Sequence, residues 1–361
     1  SPRGKKRLEE RRRLYLIFDA WPWGYSIREI DLRVSTSQKA ASSQKGAAAS
    51  SEAYHPLGGT AGYPLFFSAV GTSVVATHPR DPWDDGSPIV DVRSRGVTFG
   101  PGQVVHDVPI YLPVYDGLFA LDNCTVRMLS LTPLWPPRLE IRRSSNDGWS
   151  WRELPEPPFD RLDVTSYAVR PGGRTIVVST NEGTFTLDIG KLDDAGKIDS
   201  EELVWMPLCN QWTLPFTGRG YFVSCLDTIV GLSKDPATLG HLVGSATGGK
   251  LKLCKKLFSQ DPAETHVGAT LIYMGDGNGD GNEFCLVQCV SAEHGNADQK
   301  LKESGEVPRR SRYLYRLTTF SLSYDNNGDL TTGGTCQVQC YKVPKQTTER
   351  FLHGYPVAFW L

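Results

Sequence analysis

Asp276-Gly277-Asn278-Gly279-Asp280-Gly281 sets oxygen-bearing side chains at alternate positions along a glycine-rich hexapeptide. A Ca²⁺ ion is bound by such oxygens where glycine permits a sharp turn, so Asp276, Asn278 and Asp280 are candidate metal ligands. An EF-hand is excluded: Val287 stands at the twelfth loop position, where a bidentate glutamate belongs, and the flanks read as strands. The same residues also suit an ordinary Gly/Asn/Asp hairpin turn. A second glycine-rich stretch, Gly244 to Leu251 (GSATGGKL), has the GxxxxGK spacing of a phosphate-binding loop. Leu251 replaces the hydroxyl that must reach Mg²⁺, and no βαβ context surrounds it, so nucleotide binding is not expected.

Other chemistry is sparse. No GxSxG, HExxH or catalytic-cysteine phrase occurs, and the seven histidines (55, 78, 106, 241, 266, 294, 353) form no i, i+4 pair. Carboxylates are plentiful, as in Asp81, Asp84 and Asp85, but a linear sequence does not show which of them converge. The expectation is therefore a protein that is not an enzyme and needs no cofactor, with Ca²⁺ the one candidate ion. Eight cysteines occur without a CxxC pair. Cys285/Cys289 and Cys336/Cys340 each lie four apart in alternating, strand-like runs, about 13 Å between members, too far to share a metal or a disulfide. They are expected to be buried free thiols in a reducing compartment, with the protein cytoplasmic or nuclear. Asn123-Cys124-Thr125 is a glycosylation sequon that would matter only on secretion.

The 361 residues are long enough for one large β domain and carry 39 basic against 40 acidic side chains. That balance gives no global field toward nucleic acid or acidic membranes, and no apolar run is long enough to predict a transmembrane helix. Residues 1–13 form a basic arm with seven basic and two acidic side chains, leaving 32 and 38 in the remainder. Such an arm is an import signal, a nucleic-acid arm or a solvated helix start; without aromatics before Tyr15 it offers bases nothing to stack on. Residues 35–53 and about 291–311 read as flexible insertions, because small polar or charged residues there cannot pack.

Between them run short β-branched and aromatic segments bounded by Gly, Pro, Asn and Asp, which predict strands. These cover 14–19, 25–32, 74–78, 89–93, 117–122, 125–131, 175–180, 184–189, 221–225, 228–232, 270–274, 284–290, 313–324 and 336–343. Helical periodicity is faint, at 6–14 and 250–258. Successive hairpins begin near 15, 74, 117, 176, 221, 271 and 314, an average step of about 50 residues. Antiparallel repeats of that size predict an all-β fold: a single kelch-like β-propeller of six or seven blades over 14–361, with paired β-sandwiches as the competing arrangement. Trp151-Arg152-Glu153-Leu154-Pro155 resembles a kelch blade end, whose Trp packs between adjacent blades; Trp205-Met206-Pro207 and Trp212-Thr213-Leu214-Pro215 recur one unit later.

Longer phrases carry a family resemblance: FDAWPWGYSIR (18–28), VRSRGVTFGP (92–101), WSWRELPEPPF (149–159), LPFTGRGYF (214–222), VGLSKDPATLG (230–240), VGATLIYMG (267–275), TTFSLSYDNNGDLTTG (318–333) and PVAFWL (356–361). On these the chain resembles a grass-expanded plant family of kelch-like proteins catalogued as a domain of unknown function. The resemblance implies a propeller of the F-box-associated kelch type and brings no catalytic residues. The Asp276 loop is similar to calcium hairpins of integrin-type propellers, but Phe284 stands where they place a carboxylate. A non-enzymatic protein-interaction scaffold is the leading expectation: a monomer with one protein partner of unknown identity and neither a membrane nor a nucleic acid. Trp83, Trp135 and Arg219 are its candidate contact residues, of the types favoured at hot spots. The alternatives are a glycan- or small-molecule-acting propeller with a carboxylate-lined channel, and a substrate-recognition subunit of a ubiquitin ligase. The F-box of such a subunit has no room in the 13-residue arm.

Overall fold

The computed structural model describes residues 12–19, 24–32, 66–77, 86–101, 109–114, 117–123, 125–131, 149–191, 203–209, 212–246, 251–275, 281–292 and 312–361. Among these residues the protein is all-β, with one short α-helix, α1 (Glu349–Leu352). Strands follow one another as antiparallel meanders. β3 (Phe67–Val70), β4 (Ser73–Ala76), β5 (Gly86–Asp91) and β6 (Gly96–Pro101) form one sheet. β7 (Ile110–Val114), β8 (Gly117–Leu121), β9 (Val126–Ser130) and β10 (Trp151–Leu154) form the next. β11 (Val164–Val169), β12 (Thr175–Thr180), β13 (Thr184–Asp188) and β14 (Met206–Cys209) are joined to β15 (Phe216–Val223), β16 (Thr228–Ser233), β17 (His241–Ala246) and β18 (Leu251–Lys256) through a short parallel pairing of β11 with β15. β19 (Glu264–Gly275), β20 (Glu283–Ala292), β21 (Arg312–Tyr324) and β22 (Leu330–Lys342) complete the series.

The two ends of the chain share a sheet. β1 (Leu14–Asp19) lies between β2 (Tyr25–Ile30) and β23 (Val357–Trp360), with Leu14 opposite Trp360 and Ile17 opposite Val357. All six residues of LYLIFD are buried, so this strand reads as a continuous apolar run, as a strand covered on both faces should. Its alternating side chains feed two different cores. Leu14, Leu16 and Phe18 pack with Ile272, Cys285, Val287 and Leu317 of the β19–β22 sheet. Tyr15 and Ile17 pack with Phe67, Val74 and Val90 of the β3–β6 sheet. The pattern repeats along the chain. Val75 and Ile89 meet Leu118 and Leu129; Leu112 and Phe119 meet Ile176 and Leu187; Val177 meets Phe216 and Val243; Val230 and Leu242 meet Leu271 and Phe284. Each cluster is shared by two successive sheets, and one by the last sheet and the first. Fully burying an aliphatic side chain is worth about 1.5–3 kcal/mol, so these shared faces dominate the fold. Deleting Val357–Leu361 is therefore expected to remove the cooperative thermal transition seen by circular dichroism, because β1 loses a neighbour and both adjoining cores open.

Tryptophans tie neighbouring sheets together as the WRELP phrase predicts. Trp151 donates its indole N–H to the Pro101 carbonyl at 3.2 Å, and Trp205 donates to the Pro155 carbonyl at 3.1 Å. Other expectations need correction. The helical hint over 250–258 is wrong: Leu251–Lys256 is a strand paired with β17, and Ser245 faces Leu251 across that hairpin. Gly244, Ser245 and Ala246 of GSATGGKL therefore lie on β17 and Leu251 on β18, while 247–250 lie outside the described residues. The hairpins near 271 and 314 belong to one sheet instead of two repeats. Residues 1–11 and 35–53 lie outside the described residues. So do 293–311, while β20 extends through Ser291 and Ala292, the first two residues of that predicted insertion.

The thiols also divide. Cys254, Cys285 and Cys289 are buried, but Cys225, Cys336 and Cys340 are exposed, so the expectation of burial fails for the β22 pair. β20 is an inner strand of its sheet, whereas β22 is an edge, and alternation alone does not separate the two. Burial pushes the Cys285 and Cys289 thiols up to about 12, which leaves them protonated and unreactive at neutral pH. Native-state alkylation followed by peptide mapping is expected to modify Cys225 and Cys336 and to spare Cys254, Cys285 and Cys289 until denaturant is added.

Candidate functional site: an arginine and tyrosine cleft

Arg219 is carried by an irregularity in β15. The register to β16 shifts between Thr217 and Tyr221, and Gly218 adopts φ +69°, a conformation that disfavours side chains. Gly220 is required for a different reason: a Cβ there would lie 2.2 Å from Cζ of the buried Phe216 ring. The Thr-Gly-Arg-Gly-Tyr sequence thus makes a bulge that re-aims one long cationic side chain where β11 and β15 meet, with Tyr167 opposite Arg219.

The surroundings of this guanidinium are aromatic. Its Cζ lies 4.8 Å from the centroid of the Tyr221 ring, within cation–π range. Tyr221 donates its hydroxyl to the Leu271 carbonyl at 3.0 Å, which fixes the ring against β19. The Tyr273 ring lies tilted 6.0 Å from that of Tyr221 and its hydroxyl donates to the Gly281 carbonyl at 2.7 Å. Together with Arg170 and Ser224 these residues line an open cleft of about 230 Å³. No carboxylate lines it, and among the described residues no salt bridge engages Arg219.

A second arginine stands near. Arg161, on a 3₁₀ turn before β11, shares Tyr167 as an electrostatic neighbour with Arg219. Burial lowers its pKa, opposed by Tyr167, Asp122 and Asp160, and its Nε is buried with no hydrogen-bond partner. The half-buried Tyr167 is pushed up chiefly by desolvation, while Arg219 and Arg161 pull it down. The region is therefore a positively charged, hydroxyl-rich concavity suited to an anionic group.

Of the residues singled out in the sequence, Arg219 alone falls in this region. Trp83, Trp135, Asp276, Asn278 and Asp280 lie outside the described residues, so the candidate calcium loop has no geometry to test. The adjoining Phe284 is fully buried against Tyr273 and cannot supply a ninth-position ligand. Among the described residues no group of three His, Cys, Asp or Glu side chains is placed to hold a metal. Tyr167, Tyr221 and Tyr273 went unread in the sequence. A tyrosine nevertheless recurs on the first strand of four consecutive units, at Tyr111, Tyr167, Tyr221 and Tyr273, and that interval was the available signal.

Repeated antiparallel units with a shared first and last sheet define a β-propeller-like protein. Within that class the chain belongs to the DUF1668 family, described as proteins of unknown function, whose profile matches residues 11–341. No curated protein matches it in sequence. Among solved structures it is similar to a nidogen/laminin complex, with 11% identity and a TM-score of 0.42 over 78% of this chain and 89% of that one. It is also similar to apo AztD from Citrobacter koseri, with 9% identity and a TM-score of 0.40 over 97% and 98% of the two chains. Puromycin hydrolase aligns with 12% identity and a TM-score of 0.39 over 93% of this chain and 52% of that one. These likenesses concern shape alone.

Proposed function

We propose that the protein is a six-bladed, kelch-like propeller that acts as a non-enzymatic interaction scaffold, gripping an acidic side chain of a partner protein in the Arg219 cleft. The shared cores, the pairing of β23 with β1 and the Trp151 and Trp205 bridges support the ring. One observation carries the function: Arg170 and Arg219 line a cleft without a compensating carboxylate, beside two aromatic rings held by their own hydroxyls. Its volume of about 230 Å³ falls below the roughly 300–1,000 Å³ of small-molecule sites, which favours one side chain from a larger partner. A carboxylate pair for glycoside chemistry has no counterpart in the cleft lining. The free thiols, three of them exposed, support a reducing, intracellular setting. The test is fluorescence anisotropy with labelled glutamate-rich and lysine-rich decapeptides, with free glutamate as competitor. The proposal requires binding of the acidic peptide alone, lost in Arg219→Met; equal binding of both peptides, or no effect of the substitution, overturns it.

A further inference from the structure

An outermost strand exposes a row of unpaired N–H and C=O groups, and sheets commonly protect such edges with charge or proline. Five of the end strands here do so, and β3 and β23, which carry neither, are only four residues long. β2 carries Arg28 and Glu29, β6 ends in Pro101, β10 carries Arg152 and Glu153, β14 carries Pro207, and β18 carries Lys252, Lys255 and Lys256. β22 carries its one charge, Lys342, at its last position: Leu330–Tyr341 contains neither a charge nor a proline, in a strand 13 residues long. Its two halves differ. The first is approached by β18, whose Lys252 reaches the Gly328 carbonyl just before the strand. A register shift against β21 follows between Gly333 and Gln337, after which pairing is regular from Gln337 to Lys342. Past that bulge, Cys336, Val338 and Cys340 are all exposed, and among the described residues no strand pairs with the outer edge.

The sequence there is Cys336-Gln337-Val338-Gln339-Cys340, which reads the same in both directions about Val338. Antiparallel pairing with an identical strand would bring like or matching residues together at every step: Val338 against Val338, Gln337 against Gln339, and Cys336 against Cys340. A two-fold axis through Val338 is the operator of an isologous dimer. We propose that this end of β22 is an edge on which a second copy of the chain adds its own β22, joining two sheets into one. The proposal replaces the monomer expected from the sequence and is independent of the Arg219 cleft. A five-residue edge is small, so the dimer is of the weak, reversible class.

The cysteines supply the test. Within one chain they are about 13 Å apart along the strand and cannot bond to each other. Across the two-fold axis, opposed residues stand about 4.5–5.5 Å apart at Cα, within disulfide range. Glutathione disulfide is the oxidant. One thiolate attacks it to give a mixed disulfide and one glutathione; the opposed thiolate then attacks the protein sulfur and releases the second. Partial desolvation against β21 raises the Cys340 thiol although the residue is exposed, so the trap is run at mildly alkaline pH.

With the full chain, peptide mass spectrometry is expected to find Cys336 linked to Cys340 of a second molecule. Cys336→Ser and Cys340→Ser each form no such link alone, and an equal mixture of the two recovers it. In reducing buffer, sedimentation velocity should show concentration-dependent dimer for the wild type. Val338→Lys should be monomeric with an unchanged melting temperature, since that side chain is exposed. A wild type monomeric at every concentration, a Val338→Lys variant that still dimerises, or a Cys336→Ser variant that cross-links through Cys340 alone would each overturn the proposal.

Discussion

Phe216→Ala lowers the stability of the protein by about 3–5 kcal/mol, measured as the change in urea unfolding midpoint at constant slope. The ring is fully buried in the core shared by the sheets of β11–β14 and β15–β18, beside Ala168, Val177, Leu214 and Val243. Two glycines shape its seat. A Cβ on Gly231 would stand 2.4 Å from the ring's Cγ, and one on Gly220 would stand 2.2 Å from Cζ. Gly231→Ala alone overpacks this seat and costs about 1–3 kcal/mol. In a Phe216→Leu background the same added methyl meets a smaller side chain, so its cost falls and the double-mutant cycle shows favourable coupling of at least about 0.5 kcal/mol. Equal costs of Gly231→Ala in both backgrounds would show that the glycine is required for something other than the ring. Stability and site are linked here, because Gly220 also flanks Arg219 on the bulge.

Arg219→Met is expected to weaken binding of the acidic decapeptide by about ten- to a hundredfold, corresponding to the roughly 1.5–3 kcal/mol carried by a charged hydrogen bond. Methionine keeps the apolar stem over Tyr221 and removes the charge, so folding is left intact. Arg219→Lys restores part of the affinity, since an ammonium provides charge without the planar fork that stacks on the ring. Wild-type affinity falls with added salt, and the slope flattens in Arg219→Met. Arg152→Met, on the exposed face of β10, serves as the control and changes nothing. An Arg219→Met affinity within twofold of wild type removes the cleft from the binding surface.

Strand identity was legible where both faces are buried. The bounds of β1 and β12 match their apolar runs at both ends, because every position from Leu14 to Asp19 and from Ile176 to Thr180 is buried. Outer strands were harder to read. β10 alternates imperfectly, as Arg152 and Glu153 both face solvent, and the leucines and lysines of β18 also fit a helical spacing. Pairing to β17 decides that segment, and pairing is a non-local fact. In the site, Arg219 was readable because flanking glycines mark an irregular backbone. Its companions were not: Tyr221 and Tyr273 lie on strands of different sheets, some fifty residues apart, and each looks in sequence like any aromatic strand residue.

The seam between β1 and β23 has a consequence for synthesis. A ribosome delivers Leu14–Asp19 over 330 residues before Val357–Trp360, so β1 waits that long for its neighbour. At roughly 5–20 residues per second this interval is on the order of tens of seconds. Throughout it, a sheet destined to be covered on both faces stays half-built, a natural client for chaperones and a vulnerable intermediate for proteases. A transcript cut short before the codons of β23 would release a chain whose β1 has no partner on that side. The codons of β23 would then act as a checkpoint for the sheets on either side of β1.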